Sequence, residues 1–183
     1  MKNGIGLDWG LKTLITCSNG FRFTNFNTHK EYKDLLIEKE KITEAYKNDS
    51  NGRMWALNKQ NTKIAIYRDN YFRKIINKII KEKPEFIIYE SIYFEDVKNE
   101  IHKTYFKVFF NMLKNSCEHK NVELRRAQQF YPSSKICSRC GYLKDKLELS
   151  ERIFKCDYCN AEIDRDLNAS INIRDTKNYT RVI

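Results

Sequence analysis

The chain has 183 residues, and its 34 Lys and Arg residues outnumber 24 Asp and Glu residues, giving a formal net charge of +10. That length suits one ordinary domain, or a medium-sized domain with a small accessory, and the excess of positive charge favours a nucleic acid as partner. Hydrophobic residues make up 41% of the sequence, which excludes a disordered basic tail, while only 6 Gly and 2 Pro exclude collagen-like and linker-rich chains.

The sequence has the features of neither a membrane protein nor a secreted one. It contains no apolar run of about 18 residues, the length that a transmembrane helix needs. Asp8 stands where a secretory signal needs its apolar segment. We therefore expect a cytoplasmic protein without membrane contact, in which the 6 cysteines are reduced thiols or metal ligands rather than disulfides.

The first 27 residues alternate short apolar runs with turn residues. The runs predict strands near 4–8, 13–17 and 21–26. Asn19-Gly20 lies between the second and third runs, and this dipeptide favours a hairpin turn. We therefore predict a three-stranded meander.

Two helices follow, near 31–47 and 53–83, separated by the turn residues 48–52. Residues 53–83 carry nine Lys and Arg against two acids. Such a stripe is either a solvated helix face or a surface for phosphate contact. The candidate nucleic-acid-binding residues are Lys63, Arg73, Lys74, Lys78 and Lys81, with Arg165 near the end of the chain. Nearby aromatics could stack on bases, although core packing is the simpler interpretation of most of them: Trp55, Tyr67, Tyr71 and Tyr105.

The remaining elements alternate between strand and helix. Pro84 ends the second helix, and the pattern then predicts a buried strand at 85–90, a helix at 98–119, a strand at 122–127 and a short helix at 166–174. Strands followed by this alternation indicate a mixed α/β layer fold.

Four cysteines form two Cys-x2-Cys pairs separated by fifteen residues: Cys137, Cys140, Cys156 and Cys159. Two such pairs supply four thiolates in a tetrahedron, which predicts a structural zinc ribbon with no open coordination position. A redox pair is the alternative, and the ribbon spacing disfavours it. Residues 147–154 are expected to form a short hairpin arm, and Cys17 and Cys117 are expected to be buried free thiols.

Three acids are distant in sequence but stand at comparable places. Asp8 and Glu90 each lie at the end of a buried apolar run, and Asp166 opens the last predicted helix. Each acid alone could be a turn or cap residue, Asp166 as a helix N-cap. Together they could converge at one edge of the sheet, where Mg²⁺ or Mn²⁺ would relieve their mutual repulsion.

Four segments resemble the TnpB nucleases encoded by transposons, whose catalytic half is shared by the type V CRISPR effectors. The segments are Gly6-Leu7-Asp8-Trp9-Gly10-Leu11-Lys12, Ile88-Tyr89-Glu90-Ser91, the run from Phe130 to Gly141, and Cys156-Asp157-Tyr158-Cys159 followed by Asp164 to Ile173. The resemblance covers nearly the whole chain. It implies an RNase H-like (RuvC) α/β fold, a mixed sheet flanked by helices, with an inserted four-cysteine zinc ribbon.

The resemblance also implies a domain division. The RuvC-like core takes residues 1–132, the zinc ribbon 133–162, and the last RuvC helix with the C-terminal tail, residues 163–183, completes the core.

The activity implied by the resemblance is DNA cleavage with Mg²⁺ or Mn²⁺, on single-stranded or unwound DNA. Carried over by motif, the carboxylate triad is Asp8, Glu90 and Asp166. Asp164 competes for the third place, but the family pattern has its acid two residues before Asn, in Asp-x-Asn-Ala, which selects Asp166.

The family's guide-RNA-binding half precedes these motifs, whereas Met1 lies seven residues before Asp8. We therefore expect that half to be missing, so that guide RNA or a separate recognition subunit remains a possible partner rather than an implied one. Three alternatives stay open: a module that binds nucleic acid or a partner with little cleavage, a subunit of a split RNA-guided nuclease, and a resolvase-type nuclease for branched DNA.

Overall fold

A computed structural model describes residues 3–10, 13–90, 100–148 and 150–183. The strands are β1 (Gly4–Trp9), β2 (Thr13–Cys17), β3 (Arg22–Thr24), β4 (Phe86–Tyr89), β5 (Glu123–Ala127), β6 (Ile153–Lys155), β7 (Glu162–Asp164) and β8 (Tyr179–Arg181). The helices are α1 (Lys30–Ala45), α2 (Ser50–Lys81), α3 (Glu100–Lys120) and α4 (Arg165–Asp175). The motif residues Leu11, Lys12 and Ser91, and the predicted helix positions 98 and 99, lie outside the described residues.

Among the described residues, six strands form one mixed sheet in the order β3-β2-β1-β4-β5-β8. The predicted meander is confirmed, because β1, β2 and β3 pair antiparallel and Gly20 has a φ of 92° in the turn. β1, β4 and β5 run parallel, and β8 adds an antiparallel edge beside β5. The α/β fold with a mixed sheet flanked by helices is therefore as predicted.

The long helix α2 begins earlier than its sequence pattern predicts. The side chain of Asp49 accepts a hydrogen bond from the backbone N–H of Gly52 at 3.0 Å, so Asp49 is the N-cap and part of the predicted turn is helical. At the other end α2 stops at Lys81, and Lys83 has a φ of 51° before Pro84. The N–H groups of Glu82 and Lys83 donate to the carbonyls of Ile79 and Ile80, which closes the last turn, and Pro84 cannot continue the helix.

The central strands are covered on both faces. Ile5 and Leu7 of β1 belong to the main core, which contains residues of α2 and α3. On the opposite face, Phe86 and Ile88 of β4 pack with Ile173 of α4. Side chains alternate between the two faces of a strand, so even-numbered positions of β1 and β4 face α4.

Glycine at position 6 allows α4 to lie directly on β1. A Cβ atom at Gly6 would overlap the carbonyl oxygen of Ser170 and would lie 2.6 Å from the backbone nitrogen of Arg174. Asp8 is two residues further along β1 and therefore shares this face. The close approach of α4 thus places the helix on the strand face that carries Asp8.

A second, two-stranded sheet differs from its predicted form. β6 and β7 pair antiparallel and enclose the second cysteine pair, whereas the sequence predicted a hairpin arm at 147–154. Only Ile153 and Phe154 of the predicted arm lie in a paired strand, because the hairpin forms around the Cys156–Cys159 turn, and position 149 of the predicted arm lies outside the described residues. Within the described ranges, the structure has no helix of the length and hydropathy needed to cross a bilayer.

Candidate functional site

Asp8 and Glu90 lie side by side at one edge of the sheet. In the parallel pairing of β1 with β4, Leu7 stands opposite Tyr89, so the next residues along the two strands are Asp8 and Glu90. Parallel strands end at the same edge of a sheet, and acids at those ends point toward a common space. The register therefore explains why two acids separated by 82 positions in the chain become neighbours.

Asp166 reaches the same place from α4. It lies in the first turn of the helix, four residues before Ser170, the residue in contact with Gly6. Four helical residues and two strand residues both span about 6 Å, so Asp166 comes opposite Asp8. The three predicted acids Asp8, Glu90 and Asp166 together line a cleft of about 470 Å³.

The cleft concentrates negative charge in a partly dehydrated space. Burial, reinforced by Asp166 and Glu90, raises the pKa of the Asp8 carboxyl to about 8, against the opposite effect of Arg165. Burial also raises the pKa of Glu90, while a hydrogen bond from Ser133 acts to lower it. Carboxylates that repel one another and offer only oxygen donors fit a hard divalent cation such as Mg²⁺ or Mn²⁺.

The two neighbouring acids of α4 have different partners. Asp164 is the N-cap, accepting a hydrogen bond from the N–H of Leu167 at 3.0 Å, and it pairs with Arg22 at 2.8 and 3.0 Å. The interpretation of Asp166 as the cap is therefore wrong. Asp166 is paired only loosely, with Arg152 at 3.9 Å, among the residues that the structure describes. Of the two acids, Asp166 is the one that lines the cleft.

Three further residues connect the cleft to the cysteine cluster, and sequence reasoning gave them no role. Ser133 donates a hydrogen bond from Oγ to Oε2 of Glu90 at 3.1 Å. Asn168 and Asn172, both buried in α4, hydrogen-bond to the backbone of the segment that leads into the first cysteine pair. Their i,i+4 spacing puts them on one helix face, and this spacing of two buried amides is the signal that could have identified them.

The four predicted zinc ligands meet in the structure. The Sγ atoms of Cys137 and Cys159 are 3.7 Å apart, those of Cys140 and Cys156 are 3.6 Å apart, and all four lie within 4.8 Å of one another. A tetrahedron with Zn–S bonds of about 2.3 Å has sulfur atoms about 3.8 Å apart. The cluster is therefore compatible with structural zinc.

The two cysteine pairs have the same backbone conformation. After each pair the chain turns back through a residue with positive φ, Gly141 at 79° and Asn160 at 55°. In both turns that residue donates a hydrogen bond to the carbonyl of the first cysteine of its pair, at 2.8 and 3.0 Å. Glycine and asparagine are the residues that adopt this region most readily. Each turn thus brings the two thiols of its cysteine pair to the same place, where the four Sγ atoms meet.

The two remaining cysteines are buried thiols, as predicted. Cys17 and Cys117 both have zero exposure and lie in the main core. Burial raises the pKa of each thiol to about 12. Both are therefore uncharged at neutral pH, in contrast to a reactive cysteine.

The six candidate nucleic-acid-binding residues are not gathered at one site. Most lie exposed on α2: Lys63, Arg73, Lys74, Lys78 and Lys81. The ammonium of Lys78 lies 4.6 Å from the centre of the Phe21 ring, and Lys63 lines a groove between α1 and α2. Arg165 lines the acidic cleft instead, and its guanidinium donates to the carbonyl of Glu148 at 2.7 Å.

Comparison with known proteins gives consistent matches. The sequence model of the Cas12f1-like TNB domain family matches residues 106–173. A curated protein of Streptomyces pristinaespiralis, named as a candidate RNA-guided DNA endonuclease, is 28% identical over 177 residues, which are 92% of this chain and 44% of that protein. The chain thus spans less than half the length of this relative.

A solved structure supports the same fold. A chain of the cryo-EM structure of the Cas12f1-sgRNA-target DNA complex superposes with a TM-score of 0.66 at 20% identity, covering 94% of this chain and 50% of that one. These matches confirm the resemblance of the chain to the TnpB-like and type V effector nucleases, and the structure agrees with it in a mixed sheet flanked by helices and a four-cysteine cluster of the zinc-ribbon kind.

Proposed function

We propose that the chain is the catalytic part of a divalent-metal-dependent DNA endonuclease of the RuvC type. The observation that carries the proposal is the convergence of Asp8, Glu90 and Asp166, from three distant parts of the chain, on one cleft. The name of the curated relative, an RNA-guided DNA endonuclease, supports the same class of activity.

In the proposed mechanism the three carboxylates of Asp8, Glu90 and Asp166 would hold the divalent cation. When bound there, Mg²⁺ or Mn²⁺ would supply activation of water for attack on phosphorus and stabilisation of the leaving oxygen, which would leave a 5′-phosphate. Arg152 and Arg165 line the same cleft and would attract and orient the phosphodiester. Single-stranded or unwound DNA is the proposed substrate.

We assign residues 1–132 and 163–183 to the nuclease core and residues 133–162 to the zinc ribbon. Four thiolate ligands leave a zinc ion no open coordination position, so its proposed role is structural. Catalysis is assigned to the oxygen ligands of the cleft alone.

Nucleic-acid contact is proposed for the exposed basic side of α2 and for the groove beside it. Trp55 is 68% exposed, and the ammonium of Lys59 lies 5.4 Å from its ring centre. Lys63 lines the same groove, which has a volume of about 380 Å³. An exposed aromatic ring beside ammonium groups suits a single strand, whose bases stack and whose phosphates are anionic. Such binding should weaken steeply with salt.

Guide RNA, or a separate recognition subunit, is the proposed source of target selection. The relatives support this partner class, since one is named as an RNA-guided endonuclease and another is seen in a complex with sgRNA and target DNA. The competing proposal is a module that binds nucleic acid with little cleavage, and the exposed groove lined by Trp55, Lys59 and Lys63 is the observation that favours it.

A cleavage assay with Mn²⁺ separates these proposals. Purified zinc-loaded protein should nick labelled single-stranded DNA, Asp8→Ala should abolish nicking, and Asp34→Ala, which changes an exposed acid of α1, should not. Nicking that survives Asp8→Ala would refute the catalytic assignment. A co-purifying RNA without cleavage in Mg²⁺ or Mn²⁺ would favour the binding module, and preferential cutting of a four-way junction would favour a resolvase.

A further inference from the structure

Glu90 accepts a hydrogen bond from a buried serine that belongs to the segment leading into the cysteine cluster. The Oγ of Ser133 lies 3.1 Å from Oε2 of Glu90, and Ser133 is only 4% exposed. We propose that Ser133 is a positioning residue for Glu90 and that it couples the cysteine cluster to the carboxylate cleft. This inference rests on the proposed function, because it takes Glu90 to be a cation ligand.

Ser133 is held from both sides of its own backbone. Its N–H donates to the carbonyl of Tyr131 at 2.7 Å, and its carbonyl accepts from Nδ2 of Asn172 at 2.8 Å. The hydroxyl therefore projects from a fixed backbone and has little freedom to follow Glu90 if that side chain moves. A donor fixed in this way selects one orientation of the carboxylate, leaving Oε1 for a cation.

The same network reaches the first cysteine. Nδ2 atoms of Asn172 and Asn168 donate to the carbonyl of Ile136 at 2.6 and 2.7 Å, and Oδ1 of Asn168 accepts from the N–H of Ser138 at 2.9 Å. Ile136 and Ser138 are the two neighbours of Cys137 in the chain. One helix face of α4 thus anchors both the backbone around a zinc-ligand cysteine and the backbone of Ser133.

The network ties the short segment between Ser133, the hydrogen-bond donor to Glu90, and the cysteine cluster to helix α4. Ser133 and Cys137 are four residues apart, and the intervening backbone is tied to α4, the helix that also carries Asp166. Helix α4 therefore positions two of the three acids of the cleft. It carries Asp166 directly, and it orients Glu90 through Ser133. Groups that orient metal ligands in this way typically change metal affinity by about 10-fold to 100-fold when removed.

The test is a double-mutant cycle on Mn²⁺ affinity, measured without nucleic acid on zinc-loaded protein by the loss of the free-ion electron paramagnetic resonance signal. Ser133→Ala should weaken Mn²⁺ binding by about 10-fold, and Ser133→Thr, which keeps the hydroxyl, should restore most of it. In the Glu90→Ala background, Ser133→Ala should have no further effect, because its influence acts through Glu90. Ser116→Ala is the matched control, since this partly exposed serine of α3 is not among the residues that line the cleft.

The outcomes distinguish this inference from the function on which it rests. If the Asp8→Ala variant binds Mn²⁺ as tightly as the wild type does, the proposed metal site is refuted, and the role of Ser133 with it. If Asp8→Ala weakens Mn²⁺ binding but Ser133→Ala does not, only the positioning role of Ser133 is refuted. An equal loss in the wild-type and Glu90→Ala backgrounds would show a general structural effect, and would also overturn the inference. Thermal melting of each variant checks that it is folded.

Discussion

The carbonyl oxygen of Ser170 in α4 lies against Gly6 in β1 so closely that a Cβ atom at position 6 would overlap it. This contact sets the height of α4 above the sheet. One helical turn before Ser170 comes Asp166, and two residues after Gly6 comes Asp8. A glycine with no chemistry of its own therefore determines how near two acids of the cleft approach one another.

Gly6→Ala should destabilise the fold and weaken the cleft at the same time. The added Cβ forces α4 away from β1, and overpacking of this kind costs about 1–3 kcal/mol. Mn²⁺ affinity should fall because Asp166 moves with the helix. Gly20→Ala is the control, because position 20 has a φ of 92° with open space around it. This variant should lose stability through backbone strain alone and should keep its Mn²⁺ affinity. Equal Mn²⁺ affinity in both variants would contradict the account.

Asp8→Asn should stabilise the protein at high pH when Mg²⁺ and Mn²⁺ are absent. Burial and the neighbouring acids raise the pKa of Asp8 from its ordinary 3.8 to about 8 in the folded state, so the native state binds the extra proton and stability falls as pH rises between these values. The neutral amide removes this loss. At pH 9 the variant should melt higher, by about 2–4 °C for each kcal/mol gained, and the difference should vanish near pH 4. If the Asp8→Asn variant melts below the wild type at pH 9, the buried charge of Asp8 does not destabilise the fold.

The sequence pattern predicts two of the three acids of the cleft, because each of them ends an apolar run. Asp8 and Glu90 end apolar runs, and runs of that kind are buried parallel strands whose ends meet. The choice between Asp164 and Asp166 depended on a family pattern, since both stand at the start of a helix. Their difference comes from Arg22, a residue of β3 distant in sequence that pairs with Asp164.

Other features depend on contacts that no local pattern records. β8 was not predicted, because all three of its residues are exposed and show no apolar alternation. It is held instead by pairing with β5 and by the contact of Arg181 with Glu123. The role of Ser133 was equally hidden, since its partner Glu90 lies 43 positions away.

Loss of the metal from the cysteine cluster should expose four thiols and lower the melting temperature. One zinc per chain should be removed by a strong chelator, and Cys140→Ser should prevent stable binding because it removes one of four ligands. Alkylation under native conditions should then label the cluster cysteines but not Cys17 or Cys117, which are fully buried. Labelling of either buried cysteine before zinc release would contradict the described core.

Stability in acid should depend on Glu123. Hydrogen bonds from Arg125 and Arg181, both at 2.7 Å, lower the pKa of this carboxyl from 4.5 to about 2. The stability that ionised Glu123 contributes is fully present above pH 4.5. It is lost as the pH falls toward 2, because Glu123 takes up a proton at a higher pH in the unfolded chain than in the folded one. Glu123→Gln should make the decline in melting temperature between pH 4.5 and pH 2 shallower. Glu118→Gln, an exposed acid 3.8 Å from Lys114, should change this slope less.

The most direct measurement is a crystal structure of the zinc-loaded protein soaked in Mn²⁺, with anomalous data collected at the manganese edge. The account predicts manganese density in the cleft, in contact with carboxylate oxygens of Asp8, Glu90 and Asp166, and its disappearance in Asp8→Ala crystals. Manganese density away from these three residues, or none in the cleft while zinc occupies the cysteines, would contradict the central claim.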